Sequence, residues 1–239
     1  MNQPKIVLGY VRGDMVDGAF KDSIDNFQAF DAHSRRICAG QGFTKGNFVD
    51  DNRNAMVHDF LDTPADYLLF LDTDIEFEPH HPYVLLDEAV TNDRAIMSGI
   101  YYSFIIDGKL RPVWFTDPLK ADGPVCAFGN FDPAEVVVPL AAAGMGFCLI
   151  RRDVFEKMWG VPEWAADYWT WFGRDRYRIP DGTFKHHGED ICFCLRAKKI
   201  GIQTWGHKGV AVKHWKKIPL DEELFRVLVE DAQRRGVEY

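Results

Sequence analysis

The most chemically suggestive stretch of the sequence is an acidic turn that directly follows an apolar run. Residues 67–78 read YLLFLDTDIEFE, so Asp72 and Asp74 come immediately after a strongly apolar segment. Two carboxylates at positions i and i+2 of a tight turn can both reach one divalent cation, and hard oxygen ligands suit magnesium or manganese. The alternative is a buried strand that simply ends in a solvated acidic turn.

Two later elements carry polar residues that suit the same kind of site. Glu189 and Asp190 open a predicted helix, where a carboxylate also has the simpler role of a cap, which contributes about 0.5–2 kcal/mol. His214 follows an apolar stretch, and an isolated histidine at such a position is more often structural than a metal ligand. The remaining acids of the first turn, Glu76 and Glu78, alternate with apolar residues, which predicts an extended edge with both acids in solvent.

The spacing of apolar residues predicts the elements that position these side chains. Short continuous apolar runs predict buried parallel strands at Lys5–Val11, Tyr67–Leu71 and Arg94–Ile100. Periodic segments between them predict helices at Asp22–Ala39, capped by Asp22 or Ser23, and at Asp50–Leu61 and His80–Val90. In open α/β sheets ligands bind at the carboxyl ends of the strands, which is where Asp72 and Asp74 fall. We therefore expect an α/β fold with an open mixed sheet, mostly parallel and flanked by helices.

The second half of the chain is less regular. Further strands are predicted at Lys109–Thr116, Val136–Leu140, Ala141–Arg151, Ile202–Trp205 and Val210–Lys213. Further helices are predicted at Val154–Met158, Gly188–Lys199 and Asp221–Arg234. Residues 160–187 are rich in aromatic residues and follow no regular period, which is typical of a lid or a binding loop.

The composition limits the classes of function. A formal net charge of −8 disfavours a protein that wraps nucleic acid with a broad basic surface, although Arg174–Arg178 and Lys208–Lys217 are locally basic. Five cysteines form an odd set without disulfide-framework spacing, and no stretch reaches the length of a transmembrane helix. We expect a cytoplasmic protein with a single domain over residues 1–239.

In their order along the chain, these motifs resemble those of the GT-A glycosyltransferases, which use nucleotide-sugar donors. The stretches that carry the resemblance are FLDTDIEFEP (Phe70–Pro79), GMGFCLIRRDVFEKM (Gly144–Met158), GEDICFCLRAKKIG (Gly188–Gly201), VKH (Val212–His214) and the R-N-x pattern at Arg53. The resemblance spans about Lys5 to Trp215. It implies that residues 1–100 would bind the nucleotide, that 101–217 would provide the acceptor and metal half, and that 218–239 would form a C-terminal helix. The short chain suits a small bacterial or phage-encoded enzyme, which in the second case would act in the host cytoplasm.

The resemblance implies a metal and a donor site. Asp74 and His214 would bind a Mn or Mg ion, and Asp72 would reach the ion through water or hold the donor ribose. The ion would bridge the donor diphosphate and neutralise charge on the leaving nucleotide. The remaining donor contacts are expected from Gly9, Tyr10, Arg12, Arg53 and Lys213. The alternatives are that Arg53 only braces the acidic turn and that Lys213 belongs to a solvated run of charges. The donor would be a UDP- or GDP-type nucleotide sugar.

The resemblance also implies roles on the acceptor side. Asp190 matches the general base of inverting members, which takes the proton of the acceptor hydroxyl, and Glu189 is the neighbouring alternative. A retaining mechanism, which needs no such base, stays open. Gly144 and Gly146 would let a strand approach the donor sugar. The aromatic segment Pro162–Phe172 is a candidate acceptor platform, because sugar rings and bases stack on Trp and Tyr faces, and the alternative is a local hydrophobic cluster under a loop. The acceptor would be a glycan, a protein or a modified base in DNA.

Two other functions are compatible with the sequence. A nucleotidyltransferase of related fold would carry a glycine-rich basic loop after the first strand, whereas residues 11–20 read VRGDMVDGAF with a single arginine. A catalytically silent nucleotide- or carbohydrate-binding module would not need the complete set of acids together with His214. The sequence does not indicate an oligomeric state.

Overall fold

The computed structural model describes most of the chain. The described residues are 3–11, 16–46, 48–104, 110–117, 125–126, 134–161, 171–174, 176–178, 184–216, 230 and 234. The predicted donor contact Arg12 lies outside them, as do residues 162–170 of the aromatic segment and nearly all of the predicted helix Asp221–Arg234.

A seven-stranded mixed sheet forms the centre of the molecule. From one edge to the other its strands are β10 (Val137–Leu140), β15 (Thr204–Ala211), β5 (Ile96–Ile100), β12 (Phe147–Arg151), β3 (Tyr67–Asp72), β1 (Ile6–Val11) and β2 (Cys38–Thr44). Strands β1, β2, β3, β5 and β15 run in one direction, and β10 and β12 run antiparallel to their neighbours. The prediction of an open mixed sheet that is mostly parallel is confirmed.

Helices cover both faces of this sheet, which explains why its central strands are continuous apolar runs. One face packs against α2 (Val49–Leu61), α4 (Arg152–Trp159) and α5 (Glu189–Lys199), and the other against α1 (Gly18–Ala32) and α3 (His81–Thr91). In β3, Leu68 and Phe70 enter the first core, whereas Leu69 and Leu71 enter the second. No helix among the described residues is long and apolar enough to cross a membrane.

Several short strands lie around the central sheet. They are β4 (Ile75–Glu76), β6 (Tyr102–Phe104), β7 (Leu110–Pro112), β8 (Trp114–Asp117), β9 (Val125–Cys126), β11 (Ala142–Ala143), β13 (Arg176–Arg178), β14 (Phe184–His186) and β16 (Lys213–His214). The pair that matters most for the site is β4 with β16, since it joins the acidic turn to the end of β15.

Helix α1 begins and ends earlier than the sequence predicts. Its N-cap is Asp17, whose carboxylate accepts a hydrogen bond from the N–H of Ala19 at 2.9 Å, so the predicted caps Asp22 and Ser23 lie inside the helix. Ser23 instead bonds the carbonyl oxygen of Ala19. The helix ends at Ala32, before Ile37 of the predicted range.

Strand β2 was absent from the predicted elements, and one strand was predicted as two. The sequence of β2, CAGQGFT, has two glycines and no apolar alternation. Among the described residues this strand pairs with β1 alone, at the edge of the sheet, and it is largely exposed. The predicted strands Ile202–Trp205 and Val210–Lys213 correspond to β15, which is continuous, followed by β16.

Candidate active site

A cleft of about 740 Å³ opens at the carboxyl ends of three parallel strands. Val11 ends β1, Asp72 ends β3, and Tyr101 directly follows β5, and all three residues line the cleft. The carboxyl edge of an open α/β sheet is where ligands bind in such folds. The volume is in the range of small-molecule and cofactor sites, which is about 300–1,000 Å³.

The pairing of β16 with β4 places His214 beside the acidic turn. His214 lies opposite Ile75 in this ribbon, and its Nε2 atom is 3.2 Å from Oδ2 of Asp74. Its Nδ1 atom lies 2.9 Å from the carbonyl oxygen of Tyr102, which can only accept a hydrogen bond. Nδ1 therefore carries the proton, and in the neutral imidazole the lone pair of Nε2 points at a carboxylate oxygen.

Two lone pairs that face each other are a suitable arrangement for a cation. Two neighbouring ligands of an octahedral ion, each about 2.1 Å from the metal, lie about 3 Å apart, and the Asp74–His214 distance matches that spacing. A histidine that ligates metal commonly donates its other N–H to a carbonyl oxygen, as His214 does here. Within the described part of the chain, however, no three His, Cys, Asp or Glu side chains converge as a complete metal cluster.

Asp74 is held in its charged form by its neighbours. The Nζ atom of Lys216 lies 2.6 Å from the same Oδ2 atom that faces His214. Partial burial opposes the charge, but the contacts with His214, which donates from Nε2 only when its ring is protonated, and with Lys216 outweigh burial and lower the pKa of Asp74. A cationic side chain thus already sits where Asp74 would meet a metal or a phosphate.

A buried arginine joins the acidic turn to helix α5. Arg53 is 5% exposed, and its guanidinium lies 2.5 Å from Oε1 of Glu189 and 3.2 Å from Oδ1 of Asp72. Burial disfavours the charge of Arg53, yet the carboxylates of Asp72, Glu189 and Asp190 outweigh burial and raise its pKa. Arg53 therefore fixes the relative positions of two predicted site segments.

Asp190 has the electrostatic environment of a proton acceptor. It stands in the first turn of α5, and its Oδ1 atom accepts a hydrogen bond from the N–H of Ile191 at 2.7 Å. Burial, together with the negative charge of Glu189, raises the pKa of Asp190 to about 6 against the opposing pull of Arg53. A carboxyl group with a pKa close to the working pH is well suited to general base catalysis.

Tyr101 is a cleft residue that the motifs did not single out. Its hydroxyl oxygen accepts a hydrogen bond from the N–H of Gly146 at 3.2 Å, and the carbonyl oxygen of Gly146 accepts one from the N–H of Asp72 at 3.0 Å. The sequence predicts that Gly144 and Gly146 make room for a sugar, but a Cβ atom on Gly144 would lie 2.1 Å from the hydroxyl oxygen of Tyr101. The two glycines make room for Tyr101. Its position directly after a parallel strand was the available signal.

Three predicted donor contacts lie away from the cleft. A Cβ atom on Gly9 would lie 2.9 Å from Cγ of Met56, so this glycine lets helix α2 pack on β1. The ring of Tyr10 stacks on Phe43, with 6.0 Å between ring centroids. Lys213 pairs with Glu76, which the sequence places in solvent but which is partly buried and also accepts from Trp215.

Of the predicted acceptor platform Pro162–Phe172, the structure describes Trp171 and Phe172, and both belong to the core. Trp171 and Phe172 are fully buried, and their backbone N–H groups donate to Oδ1 of Asn54 at 3.3 and 3.1 Å. The Nδ2 group of Asn54 in turn donates to the carbonyl oxygen of Phe172. Asn54, the neighbour of Arg53, thus ties this segment to α2.

Comparison with known proteins gives a fold but no family. No protein-family model and no curated protein sequence matches the chain. The structure is similar to that of A197 from STIV, with a TM-score of 0.55 and 16% identity over 89% of this chain and 86% of that chain. It is also similar to GalNAc-T7 in a crystal structure with UDP, GalNAc and Mn²⁺, with a TM-score of 0.57 and 11% identity, over 91% of this chain and 45% of that chain. At these identities the likeness concerns the fold, and the protein has a GT-A-like α/β fold.

Proposed function

We propose that the protein is a metal-dependent glycosyltransferase that moves a sugar from a nucleotide-diphosphate sugar to an acceptor hydroxyl. The observation that carries this proposal is the facing pair of Asp74 and His214 beside a cleft at the carboxyl edge of the sheet. The similar fold of GalNAc-T7, whose structure contains UDP, GalNAc and Mn²⁺, supports a nucleotide-sugar donor and a divalent cation.

The residues present fit a Mn or Mg ion at one end of the cleft. Asp74 and His214 would hold the ion directly, and Asp72, whose Oδ1 atom is bound by Arg53, would face it through water. When bound, such an ion neutralises the diphosphate and the charge that develops on the leaving nucleotide. Lys216 lines the cleft at the same place and brings a second positive charge toward a diphosphate.

Asp190 would act as the general base of an inverting transfer. It would take the proton of the acceptor hydroxyl while that oxygen forms a bond to the anomeric carbon and the bond from that carbon to the diphosphate oxygen breaks. Glu189 is engaged by Arg53, which leaves Asp190 as the better candidate for this role. Because Arg53 is buried, it would position Asp72 and Glu189 rather than bind the donor itself.

The donor would be of the UDP or GDP type, and the acceptor a glycan, a protein or a modified base in DNA. A test incubates the protein with a panel of nucleotide sugars, with and without Mn²⁺, and measures the nucleoside diphosphate that is released. We expect release with one donor class only, dependent on Mn²⁺ and lost in Asp74→Ala and His214→Ala. Lys213→Ala is the matched control, because Lys213 is close in sequence but lies outside the cleft.

The same assay separates the other functions. Release of pyrophosphate from a nucleoside triphosphate would identify a nucleotidyltransferase and overturn the proposal. Nucleotide-sugar binding without turnover, in the presence of a range of acceptors, would identify a binding module.

A further inference from the structure

The side chain of Tyr101 is fixed inside the candidate site. The residue is 4% exposed yet lines the cleft, and its ring meets the ring of His214 edge to face at 5.4 Å between centroids. Its carbonyl oxygen accepts a hydrogen bond from the N–H of Val113 at 2.9 Å. Both its backbone and its ring are therefore held by neighbouring elements, and the hydroxyl group has a defined position.

The hydroxyl group of Tyr101 has a proton to donate. Its oxygen accepts the N–H of Gly146, and no acceptor for the hydroxyl proton lies within hydrogen-bonding distance among the residues that the structure describes. A tyrosine hydroxyl has an ordinary pKa of about 10, so the group is protonated near neutral pH and can act as a neutral donor.

The backbone around Tyr101 is built to admit this hydroxyl group. A Cβ atom on Gly144 would lie 2.1 Å from the hydroxyl oxygen, and one on Gly146 would lie 3.0 Å from it. The same Cβ atom on Gly146 would lie 2.9 Å from Oδ2 of Asp72. A phenylalanine at position 101 would need less room beside Gly144, so the absence of a side chain at Gly144 specifically accommodates the hydroxyl oxygen of Tyr101.

We propose that Tyr101 is a specificity-determining residue that donates a hydrogen bond to one hydroxyl oxygen of the transferred sugar. The proposal rests on the proposed function, in which the sugar lies between the diphosphate near Asp72 and Asp74 and the base Asp190. A Cβ atom on Gly146 would lie 2.9 Å from Oδ2 of Asp72 and 3.0 Å from the hydroxyl oxygen of Tyr101, so this hydroxyl group lies near the carboxylate at the end of β3. The carboxylates there can only accept hydrogen bonds, and Tyr101 supplies the neutral donor that a sugar hydroxyl oxygen requires.

A site with such a donor discriminates against sugars that lack the matching oxygen, because the buried O–H would be left without a partner. The experiment compares the wild type with Tyr101→Phe, which keeps the ring against His214 and removes only the hydroxyl group. The measured quantity is kcat/KM for the accepted nucleotide sugar and for its analogues deoxygenated at each ring position in turn.

We expect Tyr101→Phe to lose roughly 10- to 100-fold in kcat/KM with the natural donor. With the wild type, kcat/KM for one deoxy analogue should be lower than for the natural donor by a similar factor. With Tyr101→Phe, kcat/KM for that analogue should differ from that for the natural donor by no more than about twofold. The affinity for the nucleoside diphosphate, measured by calorimetry, should stay within about twofold, because Tyr101 would not contact the nucleotide.

If the loss in kcat/KM from Tyr101→Phe multiplies with the loss from deoxygenation for every analogue, the role of Tyr101 is purely structural. A parallel loss of affinity for the nucleoside diphosphate would show the same. The deoxy series on the wild type is a second measurement that does not depend on the folding of the variant. If no analogue loses more than about twofold there, the proposal fails while the glycosyltransferase assignment stands. If the wild type turns over no nucleotide sugar at all, the proposed function itself is overturned, and the role of Tyr101 falls with it.

Discussion

The guanidinium of Arg53 lies 3.2 Å from the carboxylate of Asp72 and also contacts Glu189, so one buried cation holds two acidic segments of the site. Replacing Arg53 by methionine should leave three carboxylates close together without their counter-ion. We expect a loss of about 3–5 kcal/mol in the free energy of unfolding, measured by urea denaturation. Lys21→Ala, which breaks an exposed pair with Asp25, is the control and should leave the free energy of unfolding nearly unchanged. A similarly small change in Arg53→Met would show that the ion pairs do not organise the site.

The raised pKa of Asp190 predicts the pH dependence of transfer. Below about pH 6 the carboxyl group is protonated and cannot accept the acceptor proton, so kcat/KM should fall as the pH decreases through about 6. With an ordinary aspartate as the base, kcat/KM would fall at about pH 3.9. Asp190→Asn should lose about 10²–10⁴-fold in kcat and keep its donor affinity. Glu189→Gln should lose less, and the reverse order would make Glu189 the base.

The pair formed by Asp74 and His214 predicts metal binding that can be measured without turnover. Manganese titration followed by electron paramagnetic resonance should show binding to the wild type in the presence of nucleoside diphosphate. Asp74→Ala and His214→Ala should weaken binding strongly, and Lys213→Ala should not. Thermal shift gives a second measure, since ligand at 100 times its Kd stabilises by about 2.7 kcal/mol. Equal binding by all variants would exclude this pair as the ligands.

The close contact between Gly144 and Tyr101 predicts a coupled effect on stability. Gly144→Ala forces a methyl group against the hydroxyl oxygen, and we expect it to destabilise the protein by about 1–3 kcal/mol. In the background of Tyr101→Phe the same substitution should cost less, because the oxygen is gone. Gly18→Ala is the control, since a Cβ atom there meets nothing within 4 Å. Purely additive effects would contradict the contact.

His81 predicts a loss of stability in acid. Burial, with the nearby His80 and His207, lowers the pKa of His81 to about 4, whereas the unfolded chain has a value near about 6.5. Between these values the unfolded state binds more protons, so the free energy of unfolding should decrease as the pH falls from about 6.5 to 4. The raised pKa of Asp190 makes an opposite contribution to the pH dependence of the free energy of unfolding. Because both proteins contain Asp190, this contribution cancels when the wild type is compared with His81→Asn. The variant should show a flatter decline, and parallel curves would remove His81 as the cause.

Much of the fold is readable from local sequence patterns. The apolar run of β3 is continuous because both faces of the strand are covered, and the acids at its end mark the carboxyl edge of the sheet. These patterns depend on neighbours in the sequence, and the predicted mixed sheet is confirmed. Strand β2 is not predicted, because an edge strand with few buried side chains has no continuous apolar run in its sequence.

The arrangement of the site was less accessible. The contacts of Arg53 with Asp72 and Glu189, and the seating of Tyr101 by Gly144, join elements distant in the chain, and only packing determines them. Gly9 shows the limit of a single residue type, because a glycine near the end of a strand suits a ligand contact and helix packing equally well. The roles of Asp72, Asp74, Asp190 and His214 stay predictions that the experiments above test.

The hydrogen bonds of Asn54 have a consequence for how this protein can diverge. Helix α4 ends at Trp159, and the N–H of Val161 just beyond it donates to the carbonyl oxygen of Met158. The chain is in the core again at Trp171 and Phe172, which Asn54 holds. Both ends of the intervening segment are thus anchored independently of its sequence. Substitutions and insertions between these two anchors can therefore accumulate during evolution without displacing Arg53, the neighbour of Asn54.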